Sequence, residues 1–289
     1  MILTDNVRQA LVDLYQNGFA VVPLPRPEAV VRVRDLLECE LQRFLGRPEV
    51  SLERYHHYVE SDEEHATTLE HIVWFAREHW LARKMFEEQL EFFVPLLGPD
   101  IGMTVTTNFR IVRPHRRQDN LGFHRDVDVG HSAYELNCFI PFLDLDETNT
   151  LKVLPASDKL SYTDLPFHKV TNPMVTRGDR KNRIGFMYDQ LEYEVPFRDR
   201  LASPRIGLGQ ALLFSANVLH GQEVNESAVT RWTTDFEVAN VFMPLSWTHH
   251  GDEDKYQVIT ESYLAKIGRK FHGAEFPRES QLRDTKQLT

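Results

Sequence analysis

The sequence predicts an α+β protein in which a helical N-terminal part packs against a β-rich core of the jelly-roll or barrel type. Apolar residues recur at helical spacing as far as Leu97. After residue 100 the pattern changes to short β-branched and aromatic runs separated by turn clusters. No internal repeat or low-complexity segment divides the chain. We therefore expect a single domain over residues 1–289, with mainly helical support at 1–100, a β core at 101–243 and a C-terminal extension at 244–289.

The N-terminal elements have recognisable start and stop signals. Helices are predicted at 6–17, 27–45, 61–76 and 82–97, and a strand at 19–23. Gly18 is typical of a helix C-cap, and Pro27 is favoured in a first helical turn. Ser61 and Glu64 have the spacing of a capping box, which predicts that the third helix begins there.

The β-rich part consists of short segments between turn signals. Strands are predicted at 104–112, 136–143, 151–154, 191–195, 211–214 and 231–242. Several short strands at close spacing favour a jelly-roll or a barrel. Loops around 50–65, 114–121 and 160–190 show no clear pattern, and we expect substrate specificity to lie in them.

Composition excludes several classes of function. The net charge of −10 disfavours general attraction to nucleic acid or to anionic lipid. No apolar run approaches the ~18 residues of a membrane span, and the N-terminus lacks the features of a signal peptide. Cys39 and Cys138 are too few for a disulfide framework. We expect a cytoplasmic protein without an integral membrane segment, and the sequence does not indicate an oligomeric state.

Three side chains in two short motifs form a candidate metal site. His124 and Asp126 belong to a His-Arg-Asp turn, and His220 precedes a glycine much later in the chain. Two imidazoles and one carboxylate are the ligand set of a mononuclear non-heme iron(II) site. A lone His-x-Asp is also compatible with a surface turn. Arg231, shortly after His220, is the kind of residue that binds a dicarboxylate.

Other histidines and a basic run are open to simpler interpretations. Most remaining histidines lie in polar helical or loop contexts and are expected at the surface, namely His56, His57, His65, His71, His79, His249 and His250. His115 and His131 flank the metal turn, so a role in the site stays open. The basic run that includes Arg113, Arg116 and Arg117 is either a solvated loop or a gate for an anionic substrate.

The order of motifs resembles a known family. A strand ending at Val112 is followed by Gly-Phe-His-Arg-Asp from Gly122, a strand from Tyr134, and Leu-Lys-Val-Leu-Pro-Ala-Ser-Asp-Lys from Leu151. Next come Gly-Gln-Ala-Leu-Leu-Phe at 209–214, Leu-His-Gly at 219–221 and Arg-Trp-Thr at 231–233. Over residues 102–240 this order resembles the phytanoyl-CoA dioxygenase-like iron(II)/2-oxoglutarate oxygenases. The segment from Pro114 also resembles a subgroup from bacterial carbohydrate and aminoglycoside biosynthesis clusters.

This resemblance implies a double-stranded β-helix core of the cupin type, and it implies roles for single residues. His124, Asp126 and His220 would hold iron(II). Arg231 would pair with the distal carboxylate of 2-oxoglutarate, and Thr233, on the same strand face, could donate to it. Candidates for the co-substrate pocket are Asn137 and Phe139, and candidates for substrate contact are Asn108 and Arg110. A hydrogen-bonded core amide at Asn137 and a surface ion pair at Arg110 are the simpler alternatives.

Departures from the family pattern are small. Ala156 and Asp158 replace the usual glycine and histidine, and Gln210 replaces an acidic residue. Asp126 is present where related halogenases have a small residue, which favours hydroxylation or desaturation.

The resemblance implies oxidation of a small, possibly carbohydrate-like molecule with O2, and conversion of 2-oxoglutarate to succinate and CO2. Two alternatives keep the iron: a hydroxylase of a membrane-associated lipid-sugar, and a cupin-type dioxygenase that needs no 2-oxoglutarate. Arg231 and Thr233 disfavour the second of these. A further alternative is a non-catalytic jelly-roll protein, but the intact set of metal ligands argues against it. Another is a zinc hydrolase, for which we find no residue that could act as the general base.

Overall fold

The computed structural model describes residues 3–161, 163–165, 167–170, 190–193, 198–243 and 256–272. Several predictions lie outside these ranges, including most of the loop at 160–190, the end of the strand at 191–195, and His249 and His250. Within the described part, no helix is long and apolar enough to cross a membrane.

Local signals place the helices well. They are α1 Asp5–Asn17, α2 Pro27–Leu45, α3 Asp62–Glu78, α4 Leu81–Glu87, α5 Leu90–Leu97 and α6 Tyr263–His272. Gly18 ends α1 with a left-handed φ of 79°, and its N–H donates to the carbonyl of Leu14. The capping box of Ser61 and Glu64 is present. These features confirm the predicted boundaries.

The predicted helix at 82–97 is wrong in one respect, because it is two helices with a break at Gln89. The Gln89 side chain is buried. It accepts a hydrogen bond from the N–H of Arg26 at 2.9 Å and donates to the carbonyl of Arg26 at 3.0 Å. The break therefore allows Gln89 to satisfy the backbone at the start of α2, where no side chain caps the helix.

The strands form a large antiparallel sheet and smaller pairs. They are β1 Phe19–Pro23, β2 Ile101–Thr104, β3 Asn108–Val112, β4 Leu136–Pro141, β5 Lys152–Val153, β6 Phe167–Val170, β7 Gln190–Tyr193, β8 Gln210–Ser215, β9 His220–Gly221, β10 Arg231–Asn240 and β11 Tyr256–Thr260. The large sheet has the order β1-β8-β4-β10-β2-β11, and β3 also pairs with β10. β6 pairs with β7.

Two strand predictions need correction. The predicted strand at 104–112 is two strands, because β3 pairs with residues 231–235 of β10 and β2 pairs with residues 238–240. β11 lies beyond residue 243 and pairs with β2. The β core therefore continues into the segment that we predicted as a C-terminal extension.

A second, smaller β layer faces the large sheet. β5 pairs with β9 so that Val153 lies opposite His220. Isolated bridges join His124 to His220 and Val153 to Ala202. Across this layer, the neighbouring segments therefore lie in the order His124, His220, Val153 and Ala202. Apolar side chains of both layers share one cluster, including Phe139, Leu145, Leu151, Val153, Ile206, Leu212, Phe214 and Val218.

The two faces of β10 pack against different parts of the protein, and this determines where the candidate site lies. Trp232, Phe236 and Val238 belong to the main core, which the large sheet shares with the N-terminal helices. The predicted packing of these helices against the β core is confirmed. Because side chains alternate along a strand, the residues from Arg231 to Glu237 at odd positions lie on the opposite face, towards the small layer.

The segment at 50–65, one of the three predicted specificity loops, contributes to the core. Leu52 and Tyr55 are fully buried, and Trp232 donates to the carbonyl of Leu52 at 2.8 Å. His65, which we expected at the surface, is also fully buried and bonds the Tyr55 hydroxyl at 3.0 Å.

Arg113 is 1% exposed. It pairs with Asp119, at 2.9 Å from Nε, and with Asp62, at 2.6 Å from Nη2. It is an anchor for its loop rather than a gate. His115, Arg116 and Arg117 are exposed, as the solvated-loop interpretation predicts.

Candidate metal centre

The structure brings the three predicted ligands together between the two β layers. Nε2 of His124 lies 3.4 Å from Oδ1 of Asp126, and Nε2 of His220 lies 3.7 Å from the same oxygen. All three side chains are buried, and their donor atoms lie within 4.8 Å of one another. Metal bonds to such donors are about 2.0–2.2 Å long, so atoms at this spacing can share one ion.

Hydrogen bonds aim each ligand at the common centre. His124 donates from Nδ1 to the carbonyl of Gly122 at 2.8 Å, and His220 donates from Nδ1 to the carbonyl of Val218 at 3.0 Å. Both rings therefore direct an Nε2 lone pair at the centre. Asn137 donates to Oδ2 of Asp126 at 2.8 Å, which leaves Oδ1 for a metal.

The protonation states suit a cation. Burial opposes ionisation of Asp126, but the His220 and His124 imidazoles outweigh it and hold the pKa of this carboxyl below its usual range. Burial lowers the pKa of His220 to about 4. At neutral pH Asp126 is a carboxylate and His220 a neutral imidazole, the forms that bind metals.

Close backbone packing fixes the ligand turn. His124 and His220 exchange two backbone hydrogen bonds, at 2.8 and 3.0 Å. A Cβ on Gly221 would lie 2.7 Å from Cα of Phe123, so only glycine allows this approach. Arg125 points away from the metal and donates to the carbonyls of Ser157 and Leu160 at 2.8 and 3.1 Å.

We expect Asn137→Leu to weaken metal binding about 10- to 100-fold, the usual effect of removing a residue that orients a metal ligand. Leucine has a similar shape but cannot donate to Asp126. Competition with a metal-sensitive dye measures this, and thermal unfolding checks that the variant is folded. An unchanged affinity would show that Asp126 needs no support from Asn137.

A pocket opens beside the three donors. Its apolar wall includes Leu121, Phe139, Leu151 and Phe214, and its polar wall includes Asn108, Arg110, His131, Gln222, Asp235 and Glu237. The structure thus places the candidates Asn108, Arg110, Asn137 and Phe139 at this pocket. Arg110 donates to Asp235 at 2.7 Å, and Asn108 donates to it at 2.8 Å. The predicted ion pair of Arg110 exists, but it forms part of the pocket wall.

Arg231 and Thr233 lie further along the same face of β10 and do not line this pocket. Arg231 is 1% exposed and donates from Nη1 to the carbonyl of Asn149 at 2.9 Å. Among the residues that the structure describes, the Nε and Nη2 atoms of Arg231 have no partner, nor do the buried hydroxyls of Thr233 and Thr150. Burial lowers the pKa of Arg231 to about 9, as does nearby Arg110, so the guanidinium is charged at neutral pH.

A cluster of ionisable groups on the pocket wall was not predicted. His131 lies 2.7 Å from Oε2 of Glu135 and 3.8 Å from Oε1 of Glu237. Glu135 also accepts hydrogen bonds from Ser132 N–H, at 3.0 Å, and from the Tyr256 hydroxyl. The alternation of Arg231, Thr233, Asp235 and Glu237 in the sequence could have indicated that these four residues share a face.

The same cluster has the donor types of a second metal site, with atoms within 4.8 Å. Burial opposes the charge of His131, but Glu237 and Glu135 outweigh it and raise its pKa to about 9. A protonated imidazole does not bind metals. With His131 protonated, the cluster is an ion network, and a metal would bind there only by displacing that proton.

Solved structures of other proteins have a similar fold. No model of a known protein family matches the chain, and no curated protein is similar to it in sequence. Among solved structures, the apo form of the non-heme monooxygenase ThoJ matches with a TM-score of 0.56 and 14% identity, over 96% of this chain and 99% of that one. This chain therefore shares the fold of that monooxygenase. A nickel complex of ThoJ matches with a TM-score of 0.50 and 14% identity, over 87% of this chain and 83% of that one.

At the level of the fold, this similarity supports the resemblance predicted from the sequence. The match extends over the helical N-terminal part as well as the β core, since it covers nearly the whole chain. The mixture of helices and antiparallel sheet is confirmed.

Proposed function

We propose that the protein is an iron(II)- and 2-oxoglutarate-dependent dioxygenase that hydroxylates a small polar molecule. The main support is that His124, Asp126 and His220 converge between the layers while a buried, incompletely paired Arg231 lies on the facing strand. We also propose that the two β layers form a double-stranded β-helix. The strand pairings within both layers support this proposal. We further propose that the N-terminal helices and this core form one domain.

The donor set around Arg231 fits the distal carboxylate of 2-oxoglutarate. Nε and Nη2 of Arg231 are the two atoms of a guanidinium that bind a carboxylate side by side. The hydroxyls of Thr233 and Thr150 are also buried without partners. A buried donor without a partner costs about 1–3 kcal/mol, so four of them favour an anion that satisfies them.

Iron(II) held by the three ligands would supply oxygen activation, with 2-oxoglutarate as the reductant that yields succinate and CO2. Imidazole suits iron and nickel alike, and the ThoJ complex contains nickel. Asn137 holds the Asp126 carboxylate in place. Phe139 and Phe214 form part of the apolar wall of the pocket. Asn108, Arg110 and Asp235 form a polar wall, which supports a hydroxyl-bearing, carbohydrate-like substrate.

The alternatives differ in what they require of the chain. A cupin-type dioxygenase without 2-oxoglutarate would leave the buried Arg231 without an anion, which disfavours it. A hydroxylase of a lipid-linked sugar would use the same polar wall and remains a variant of the main proposal. Cys39 and Cys138 are both free, which supports a cytoplasmic location.

Product analysis tests the reaction. We expect the iron-loaded protein to form succinate from 2-oxoglutarate, and its substrate to gain one oxygen atom or lose two hydrogens. Because Asp126 occupies the coordination position that a halide would need, no chlorinated product should form in the presence of chloride. Mass spectrometry under labelled oxygen measures this, and a chlorinated product would contradict the hydroxylase proposal.

A further inference from the structure

Glu237 is the pocket carboxylate whose charge is least compensated. Its side chain is 7% exposed and faces the metal pocket, and it makes no hydrogen bond to any residue that the structure describes. The other charged groups of the polar wall are paired: Arg110 with Asp235, and His131 with Glu135 at 2.7 Å. Among the described residues, the nearest cation to Glu237 is His131, at 3.8 Å, which already donates to Glu135.

Burial of the Glu237 carboxyl group also shifts its pKa. Burial raises the pKa of Glu237 to about 7, although His131 acts in the opposite direction. A buried carboxylate is stable when a cation or hydrogen-bond donors face it. Gln222, on the same polar wall, also has a buried carbonyl oxygen without a partner. The pocket therefore presents unsatisfied acceptors to whatever enters it.

We propose that Glu237 binds a protonated amino group of the substrate, which makes the substrate class a small amine rather than a neutral or acidic molecule. An ammonium has three N–H donors and no acceptor, which matches a wall of unsatisfied acceptors. The positive charge would pair with a carboxylate whose charge His131 compensates only in part. This inference rests on the proposed function only for which pocket is the reaction site.

Matched ligand pairs test the inference. Cyclohexylamine and cyclohexanol differ only in the charged group, and glucosamine and glucose form a second pair. We expect each amine to bind the iron- and 2-oxoglutarate-loaded protein, under nitrogen, at least about tenfold more tightly than its alcohol, the usual effect of a hydrogen bond to a charged group. Ligand-observed NMR titration at pH 7 measures both members of a pair.

Variants assign the preference to Glu237. Glu237→Gln keeps the shape but removes the charge, so the amine preference should fall to about one. Glu237→Asp keeps the charge and should retain part of it. Glu223→Gln, an exposed residue paired with Arg198 outside the pocket, is the matched control and should leave the preference unchanged. An amine bound directly to the metal would keep its preference in Glu237→Gln, so this variant separates the two causes.

The outcomes that overturn the inference are equal binding of amine and alcohol, a preference that survives in Glu237→Gln, or no binding of either amine. A titration of 2-oxoglutarate into the same iron-loaded proteins, before any amine is added, distinguishes failure of this inference from failure of the proposed function. If 2-oxoglutarate binds and the amine preference is absent, only the inference fails. If 2-oxoglutarate does not bind but the preference depends on Glu237, the amine site stands and the oxygenase function fails.

Discussion

His220→Ala should abolish stoichiometric iron binding. His220 supplies one of three ligands, and its neutral imidazole is aimed at the centre by the carbonyl of Val218. Loss of a residue that only orients a ligand costs about 10–100-fold in metal affinity, so loss of the ligand itself should cost more than about 100-fold. Metal analysis after anaerobic loading and desalting measures this, and succinate formation should disappear with the iron.

A matched histidine variant controls for non-specific binding. His79 is exposed, and in the described part of the chain its ring bonds the carbonyl of Phe75 in the last turn of α3. His79→Ala should therefore keep one iron per chain. The backbone pairing of residue 220 with His124 does not need the imidazole, and a thermal unfolding curve checks that the fold persists. If His220→Ala retained both iron and turnover, the ligand assignment would be wrong.

Arg231→Lys should weaken 2-oxoglutarate binding by about 1.5–3 kcal/mol, the typical contribution of a hydrogen bond to a charged group. Lysine keeps the positive charge but loses the planar fork that bonds a carboxylate through two N–H groups. The effect should be confined to the co-substrate, because Arg231 does not contact the three metal ligands in the described structure.

Calorimetric titration of 2-oxoglutarate into the anaerobic, metal-loaded variant measures this loss. Arg205→Lys is a suitable control, since Arg205 is exposed and pairs with Glu147 at the surface. Iron content should be equal in both variants. An unchanged affinity for 2-oxoglutarate in Arg231→Lys would mean that another residue anchors the dicarboxylate.

The sequence predicted features that depend on neighbouring residues. Gly18, Pro27 and the pair Ser61 and Glu64 act on the backbone within one helical turn, so their effect is visible in the sequence. The ligand turn was predicted for a similar reason, because two of the three ligands are two residues apart. The third ligand was recognised through its chemistry and the order of motifs, and the structure brings it to the others.

The failures depend on partners far away in the chain. The break at Gln89 serves the backbone of Arg26, and the burial of Leu52 serves Trp232. His65 lies at helical spacing from Leu69 and Ile72 on the buried face of α3, but its polar side chain led us to expect it at the surface. Glu237 likewise became a candidate only when the structure placed it in the metal pocket. Tertiary contacts outweigh local preference at each of these positions.

One departure from the family pattern has a structural consequence. Ala156 replaces the usual glycine and adopts a left-handed φ of 57°. A residue with a Cβ in this conformation costs roughly 1–2 kcal/mol. The turn nevertheless keeps its connections, since the Ser157 hydroxyl accepts from the N–H of Leu219 at 2.8 Å next to the ligand His220.

The most direct test of the central claim is an anaerobic calorimetric titration of 2-oxoglutarate into the protein with and without iron(II). The co-substrate should bind the iron-loaded protein at one molecule per chain, because the metal and Arg231 would each hold one end of it. Without iron the affinity should fall by at least about tenfold, as one of two anchoring points is lost. Equal affinity in the two samples, or no binding to the iron-loaded protein, would contradict the account.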